Sequence, residues 1–399
     1  MNRRQFLVTT GMVGIAGLAG CSGSRNGEPS AESTPSATAS ASATATPEGP
    51  RVAGEPLPLD DSDLSRGAPK DAIPAITEPA FADDWEGLTI EVTSRITGDV
   101  NEKEPRLRPD DMVVGLEREG EARAYPLRIL NYHEVVNDEF AGPTLVTFCP
   151  LCGSGVTAER RVRGEETTFG VSGLLWMSDL VMYDELTGSL WSQIAGRSVR
   201  GPETGTGLTF VPSQLTTLQT WRESHPDTEV LLPPPESNTV RGREAVRDYT
   251  QNPYAGYEDS GQVGIGANAD VDDRLNPKTQ VLGITDDGAA TAYPLETVID
   301  RGGVVNDAVG DLPVVVTVGP DETSLFGFVR RVDGETITFE PENPRRMAGG
   351  GSLWSVSEGR AVEGPMEGTT LDPATEKGQL FWFAWADFNP DTAIFGRDE

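Results

Sequence analysis

Lysine is nearly missing from this chain of 399 residues: only Lys70, Lys103, Lys278 and Lys377 are present, so almost all of its basic charge is arginine. Histidine occurs twice, at His133 and His225, and cysteine three times, at Cys21, Cys149 and Cys152. So few cysteines exclude a disulfide-built scaffold. A single C-x-x-C (Cys149, Cys152) without a second one excludes the four-cysteine zinc module. No apolar run reaches the ~20 residues of a membrane-spanning helix; the longest, near the N-terminus, is short and rich in Gly and Thr. Positive charge is outweighed, with 63 acidic against 32 basic residues and a net charge of −31. That balance excludes nucleic acid as a partner and disfavours anionic lipid surfaces.

What is there begins with "MNRRQFLVTTGMVGIAGLAGCSG". Paired Arg3 and Arg4, a short apolar segment and small residues before Cys21 resemble a twin-arginine export signal ending in a lipobox. Residues 1–20 are then the signal, and Cys21 becomes the lipid-modified N-terminus. The expected location is the outer face of the cytoplasmic membrane, with the membrane as partner through that lipid. Residues 21–55, Ser, Thr, Ala and Pro with little apolar bulk, are expected to be a disordered tether, reaching very roughly 30 Å as a flexible chain. Scarce lysine with abundant Asp and Glu resembles the proteins of halophilic archaea, in which concentrated salt screens the charge.

An internal repeat organises the body. "RLRPDDMVVGL" from Arg106 is answered by "RLNPKTQVLGI" from Arg274, "AYPL" at Ala124 by Ala292, and "VVND" at Val135 by Val304. "GSLWS" recurs at Gly188 and Gly351, and "PDT" at Pro226 and Pro390. The expected fold is mainly β, a β-rich α+β arrangement of two duplicated units with few short helices. Residues 56–105 form an N-terminal extension, 106–231 the first unit, 232–273 a connection, and 274–395 a second, degenerate unit. One helix is expected over Gln214–Ser224, capped by Ser213 and ended by Pro226.

The repeat separates shared residues from unique ones. Tyr125, Asn137, Asp138, Trp191 and Arg197 have counterparts in Tyr293, Asn306, Asp307, Trp354 and Arg360, which marks them as packing and turn residues. Cys149, Cys152, His133 and His225 lack counterparts; Gly319, Glu322, Gly302 and Asn389 stand in their places. Any chemistry is therefore expected in the first unit.

Together "DAIPAI", "AYPLRILNYHEVVND", "TFCPLCGSG", "FGVSGLLWMSDLVMYD", "SLWSQIAGRSVRGP", "RDYTQNPY" and "FWFAWADFNPDT" resemble the domain-of-unknown-function family numbered 3179, over about residues 67–395. The resemblance implies the fold boundaries and the first-unit Cys/His motif, and no settled activity. Where the family has Tyr-Asn before Ser-Asp, this chain has Trp176 and Met177.

The C-x-x-C admits several readings. A disulfide there closes so short a loop that it stabilises by only ~2 kcal/mol. A thioredoxin-like dithiol needs a helix after the first cysteine, and "GSGVTAERRV" is poor helix. A metal clip suits the residue types: two thiolates and an imidazole from His133 hold one copper or zinc ion. Strand alternation from "YHEVVND" turns His133 toward the cysteines and Glu134 away. His225, before Pro226, is a weaker ligand candidate, and Ser178 and Asp179 are supporting residues. A cysteine nucleophile with His133 as base and Asp179 or Glu134 orienting it completes the set. The expectation is an exported, lipid-anchored protein with a metal or thiol-redox site. Its rival is a non-catalytic surface binding or structural lipoprotein whose cysteines form a local disulfide.

Overall fold

The computed structural model describes residues 50–94, 97–265 and 271–397. The signal, Cys21 and the tether up to residue 49 lie outside the described residues. The last part of the expected tether does not: Arg51–Val52 pairs with Glu55–Pro56 in a small hairpin. Val52 packs in an apolar cluster with Leu59, Trp176 and Val181, and burying that side chain is what draws residues 50–55 into the body.

The fold is mainly β, with four short α-helices among the described residues: α1 (Leu127–His133), α2 (Leu218–Ser224), α3 (Leu295–Asp300) and α4 (Trp382–Phe388). None is long and apolar enough to cross a membrane. Strand alternation around a Glu-Gly turn builds the hairpin Met112–Arg118 with Glu121–Pro126. It gains the antiparallel strand Gln214–Thr217 on one side and the parallel strand Glu229–Leu231 on the other. In the second half, Gln280–Asp286 and Ala289–Pro294 gain Leu380–Phe381 and Ala393–Ile394 in the same order and sense. The antiparallel set Val135–Glu139, Pro143–Cys149, Ser154–Glu159 is matched by Val304–Val309, Leu312–Val318, Leu325–Val329.

Shared residues make the same bonds in both halves. Tyr125 donates its hydroxyl to Asp138 at 2.6 Å, and Tyr293 to Asp307 at 2.9 Å. Asn137 exchanges two hydrogen bonds with the backbone of Phe169, and Asn306 does so with Phe339. Buried polar groups must find such partners, so these residues serve the scaffold.

The expected helix over Gln214–Ser224 begins four residues late. Gln214–Thr217 is spent on pairing with Met112–Gly115, which suits β-branched Thr216 and Thr217. The cap is Thr217, whose side chain accepts from the Thr220 N–H, and not Ser213. The extension threads three sheets: Ser65–Arg66, Ile76–Glu78 and Phe81–Ala82 each add a strand.

Candidate functional site

Cys149 ends the strand Pro143–Cys149 and pairs with Ser154, so Pro150 to Gly153 form the connecting turn. The Cys152 N–H donates to the Cys149 carbonyl at 3.1 Å, closing the turn and drawing the two side chains together. Gly153 sits at φ +63°, and a Cβ there would come 3.1 Å from the Phe381 ring, so glycine serves both the backbone and the approach of the second half. Phe381 donates its N–H to the Cys152 carbonyl at 2.9 Å.

A second tight turn faces the thiols. Trp176 pairs with Asp179, leaving Met177 and Ser178 as a two-residue hairpin loop with φ of 52° and 66°. Two consecutive positive φ values are what such loops require, and Asn or Gly meets them most easily. Methionine at the first position carries a cost of order 1 kcal/mol. The turn directs the Ser178 carbonyl at both sulfurs, 3.6 Å from Cys149 Sγ and 3.3 Å from Cys152 Sγ. The Ser178 hydroxyl donates to the Ile265 carbonyl instead.

Asp179 follows directly. One carboxylate oxygen of Asp179 and the sulfurs of Cys149 and Cys152 all lie within 4.8 Å of one another, and all three residues are buried. The carboxylate accepts from Ser192 Oγ at 2.6 Å and from the Ile194 N–H at 3.2 Å. Burial nevertheless pushes its pKa up to about 7. Burial also pushes the Cys152 thiol well above its ordinary range, and Cys149 and Asp179 add to the effect. Asp179 and Cys152 thus share a pocket in which negative charge is costly.

His133, expected to face the cysteines, spends both ring nitrogens elsewhere: Nδ1 lies 2.7 Å from the Pro74 carbonyl and Nε2 2.7 Å from the Tyr249 hydroxyl. Burial holds its pKa down at about 4. It does not join the group formed by Cys149, Cys152 and Asp179. The cause is local. His133 is the last residue of α1 and not part of a strand, and Glu134 at φ 58° breaks the chain direction before Val135 begins the next strand. Period-2 parity does not carry across a left-handed residue. The same break turns Glu134 inward, where burial first and Asp179 second push its pKa up to about 8. His225 is remote from the cluster in its bonding: it stacks on Trp221 at 3.8 Å, with Nε2 3.1 Å from Glu117.

The connecting segment supplies residues that the C-x-x-C and the histidines alone do not point to. Tyr257 donates its hydroxyl to the Leu151 carbonyl at 3.0 Å, inside the thiol turn, and accepts from the Gly264 N–H. Burial and the nearby Glu134 and Cys149 raise the Tyr254 pKa. Both tyrosines stand in or beside "RDYTQNPY", the one motif between the two halves, which was the available signal. From the second half comes Lys377, whose Nζ donates to the Ile194 carbonyl at 2.7 Å, next to the Asp179 anchor.

Two thiols and a carboxylate suit a borderline-soft cation: as three ligands they leave a tetrahedral zinc one open position. A bound cation would add to the positive charge that Lys377 already brings near Asp179. Neither a curated protein nor a solved structure matches this chain. A family model does: residues 70–392 match "Protein of unknown function (DUF3179)", and the chain belongs to that family.

Proposed function

We propose that this chain is an exported, lipid-anchored protein whose body holds one zinc or copper ion through Cys149, Cys152 and Asp179. The observation that carries the reading is the convergence of two buried sulfurs and a buried carboxylate oxygen within 4.8 Å. The donor set favours zinc, because carboxylate hardens a site that copper(I) would prefer with sulfur alone. Tyr257 holds the thiol turn through the Leu151 carbonyl, and in the metal-free form the Ser178 carbonyl accepts from both thiols. The deciding experiment is zinc titration of the reduced, metal-free protein. One equivalent should bind with release of protons as the thiols ionise, and Cys149→Ser should abolish it. Absence of stoichiometric binding would sink the metal reading.

A second reading, reversible dithiol chemistry, is favoured by the adjacency of the two sulfurs alone. It predicts an isolated form lighter by two hydrogens, which mass measurement detects, and the short loop makes that disulfide easily reduced. Anchoring is supported by Arg3, Arg4 and the small residues before Cys21. Replacing Cys21 by Ala should release the protein from the membrane fraction; unchanged sedimentation with membranes would remove the lipid from the account.

A further inference from the structure

Beside the thiol centre, where the two halves meet, lies a cavity of about 330 Å³. Ser154 and Ile194, which line it, border the cluster directly: Ser154 is two residues past Cys152, and the Ile194 N–H holds Asp179. Phe210 and Trp385 supply flat apolar walls, and Arg197 and Lys377 supply charge.

That charge runs against the rest of the molecule. In a chain of net charge −31, the cavity is lined by Arg51, Arg197 and Lys377 against one carboxylate, Glu376. Another cleft between the halves is evenly balanced, with Glu117 and Glu358 against Arg360 and Lys377, which reaches both clefts, and a third is lined by Glu258, Asp259 and Glu296 beside Lys278. Lys377 is half-buried and sits over the Phe210 ring at 4.6 Å. Its ammonium makes one hydrogen bond among the described residues, to the Ile194 carbonyl, so two of its three donors have no protein partner there. Arg197 donates to the Gly205 carbonyl at 2.6 Å and has no carboxylate partner among the described residues. Repeat alignment places Ser213 opposite Lys377, so the lysine is particular to the second half, whereas Arg197 has a counterpart in Arg360.

We propose that this cleft binds a small aromatic carboxylate, its anionic end on Lys377 and Arg197 and its ring between Phe210 and Trp385. A cavity of this size and lining takes a ligand of about that bulk, and a half-buried ammonium with unused donors recognises a carboxylate by charge-assisted hydrogen bonds. The proposal rests on the metal reading only for the centre that the bound anion would lie beside; the binding itself is independent of metal.

The test uses the mature chain, free of metal, with benzoate as probe and tryptophan fluorescence and calorimetry as readouts at constant salt. Benzoate should bind while neutral benzamide does not. Lys377→Met, which keeps the stem, and Arg197→Gln, which alters an exposed side chain, should each weaken binding about tenfold, one lost charge-assisted bond. Arg360→Gln, in the other cleft, and Cys149→Ser should leave it unchanged. Equal affinity of benzoate for wild type, Lys377→Met and Arg197→Gln overturns the proposal, as does failure of wild type to bind it. Loss of zinc binding with benzoate binding retained would refute the metal reading alone.

Discussion

At the residue scale, the buried acids set the pH response. Glu134 keeps its proton up to about pH 8 when folded and releases it near 4.5 when unfolded. Unfolding therefore releases a proton between those values, and rising pH destabilises the fold across that window. Asp179 acts in the same direction between 3.8 and about 7. His133 acts oppositely: neutral when folded down to about 4 and protonated below 6.5 when unfolded, it adds stability as pH rises between those values. Glu134→Gln should flatten the loss between pH 5 and 8 in the metal-free protein, by an amount of order 2–4 kcal/mol, read by urea unfolding at the two pH values. An unchanged slope would place the carboxyl in a wetter environment. Zinc should protect more at pH 8 than at pH 5, since it binds the deprotonated ligands. The cysteine pair was legible as a motif, and the structure sets beside it Asp179, which the sequence offered only as a supporting residue. His133 and Glu134 were misjudged because alternation was extended through a helix end that only φ at Glu134 reveals.

At the scale of elements, the loop that carries the thiols in the first half has a different task in the second. There the turn after Leu312–Val318 carries Asp321, whose Oδ2 accepts from Thr217 at 2.9 Å, Thr220 at 2.8 Å and Ser324 at 2.9 Å. Asp321 thus pins the second half to the start of α2 in the first, while the Cys152 carbonyl takes the Phe381 N–H at the start of α4. Each half is thus tied to the other through the turn that follows its Pro143–Cys149 or Leu312–Val318 strand. Asp321→Ala should cost about 2–4 kcal/mol, since several buried hydroxyls lose an ionised acceptor; thermal or urea denaturation measures it. The two hairpins offer a paired test. A Cβ at Gly115 would lie 2.4 Å from the Trp221 ring, and one at Gly283 2.1 Å from Trp385. Gly115→Ala and Gly283→Ala should each destabilise by about 1–3 kcal/mol through overpacking. If one is neutral, the halves are not equivalent there. The strands and their hairpins were readable from alternation and turn residues. The late start of α2 was not, because Gln214–Thr217 is made a strand by a partner a hundred residues away.

At the scale of the whole molecule, charge decides the conditions of folding. Exposed acids crowd parts of the surface, as in the strand Glu340–Asn343, all four residues of which are exposed. Many of the ion pairs are themselves exposed, such as Arg106 with Glu104 and Arg346 with Glu363, and pairs of that kind contribute little each. A net charge of −31 then acts as self-repulsion, which the compact state feels more than the expanded one. Molar salt reduces the screening length to ~3 Å, while ten-millimolar salt leaves it at ~30 Å, comparable to a domain radius. The body should therefore lose circular-dichroism structure as salt falls from molar to tens of millimolar, and should recover on adding salt back. Potassium chloride and sodium chloride should serve almost equally if screening alone is responsible. Bound zinc should shift the midpoint to lower salt, because it adds positive charge at a buried acidic centre and binds only the folded form. A spectrum unchanged across that range would show that packing outweighs repulsion and that the acidic surface serves solubility rather than adaptation to salt.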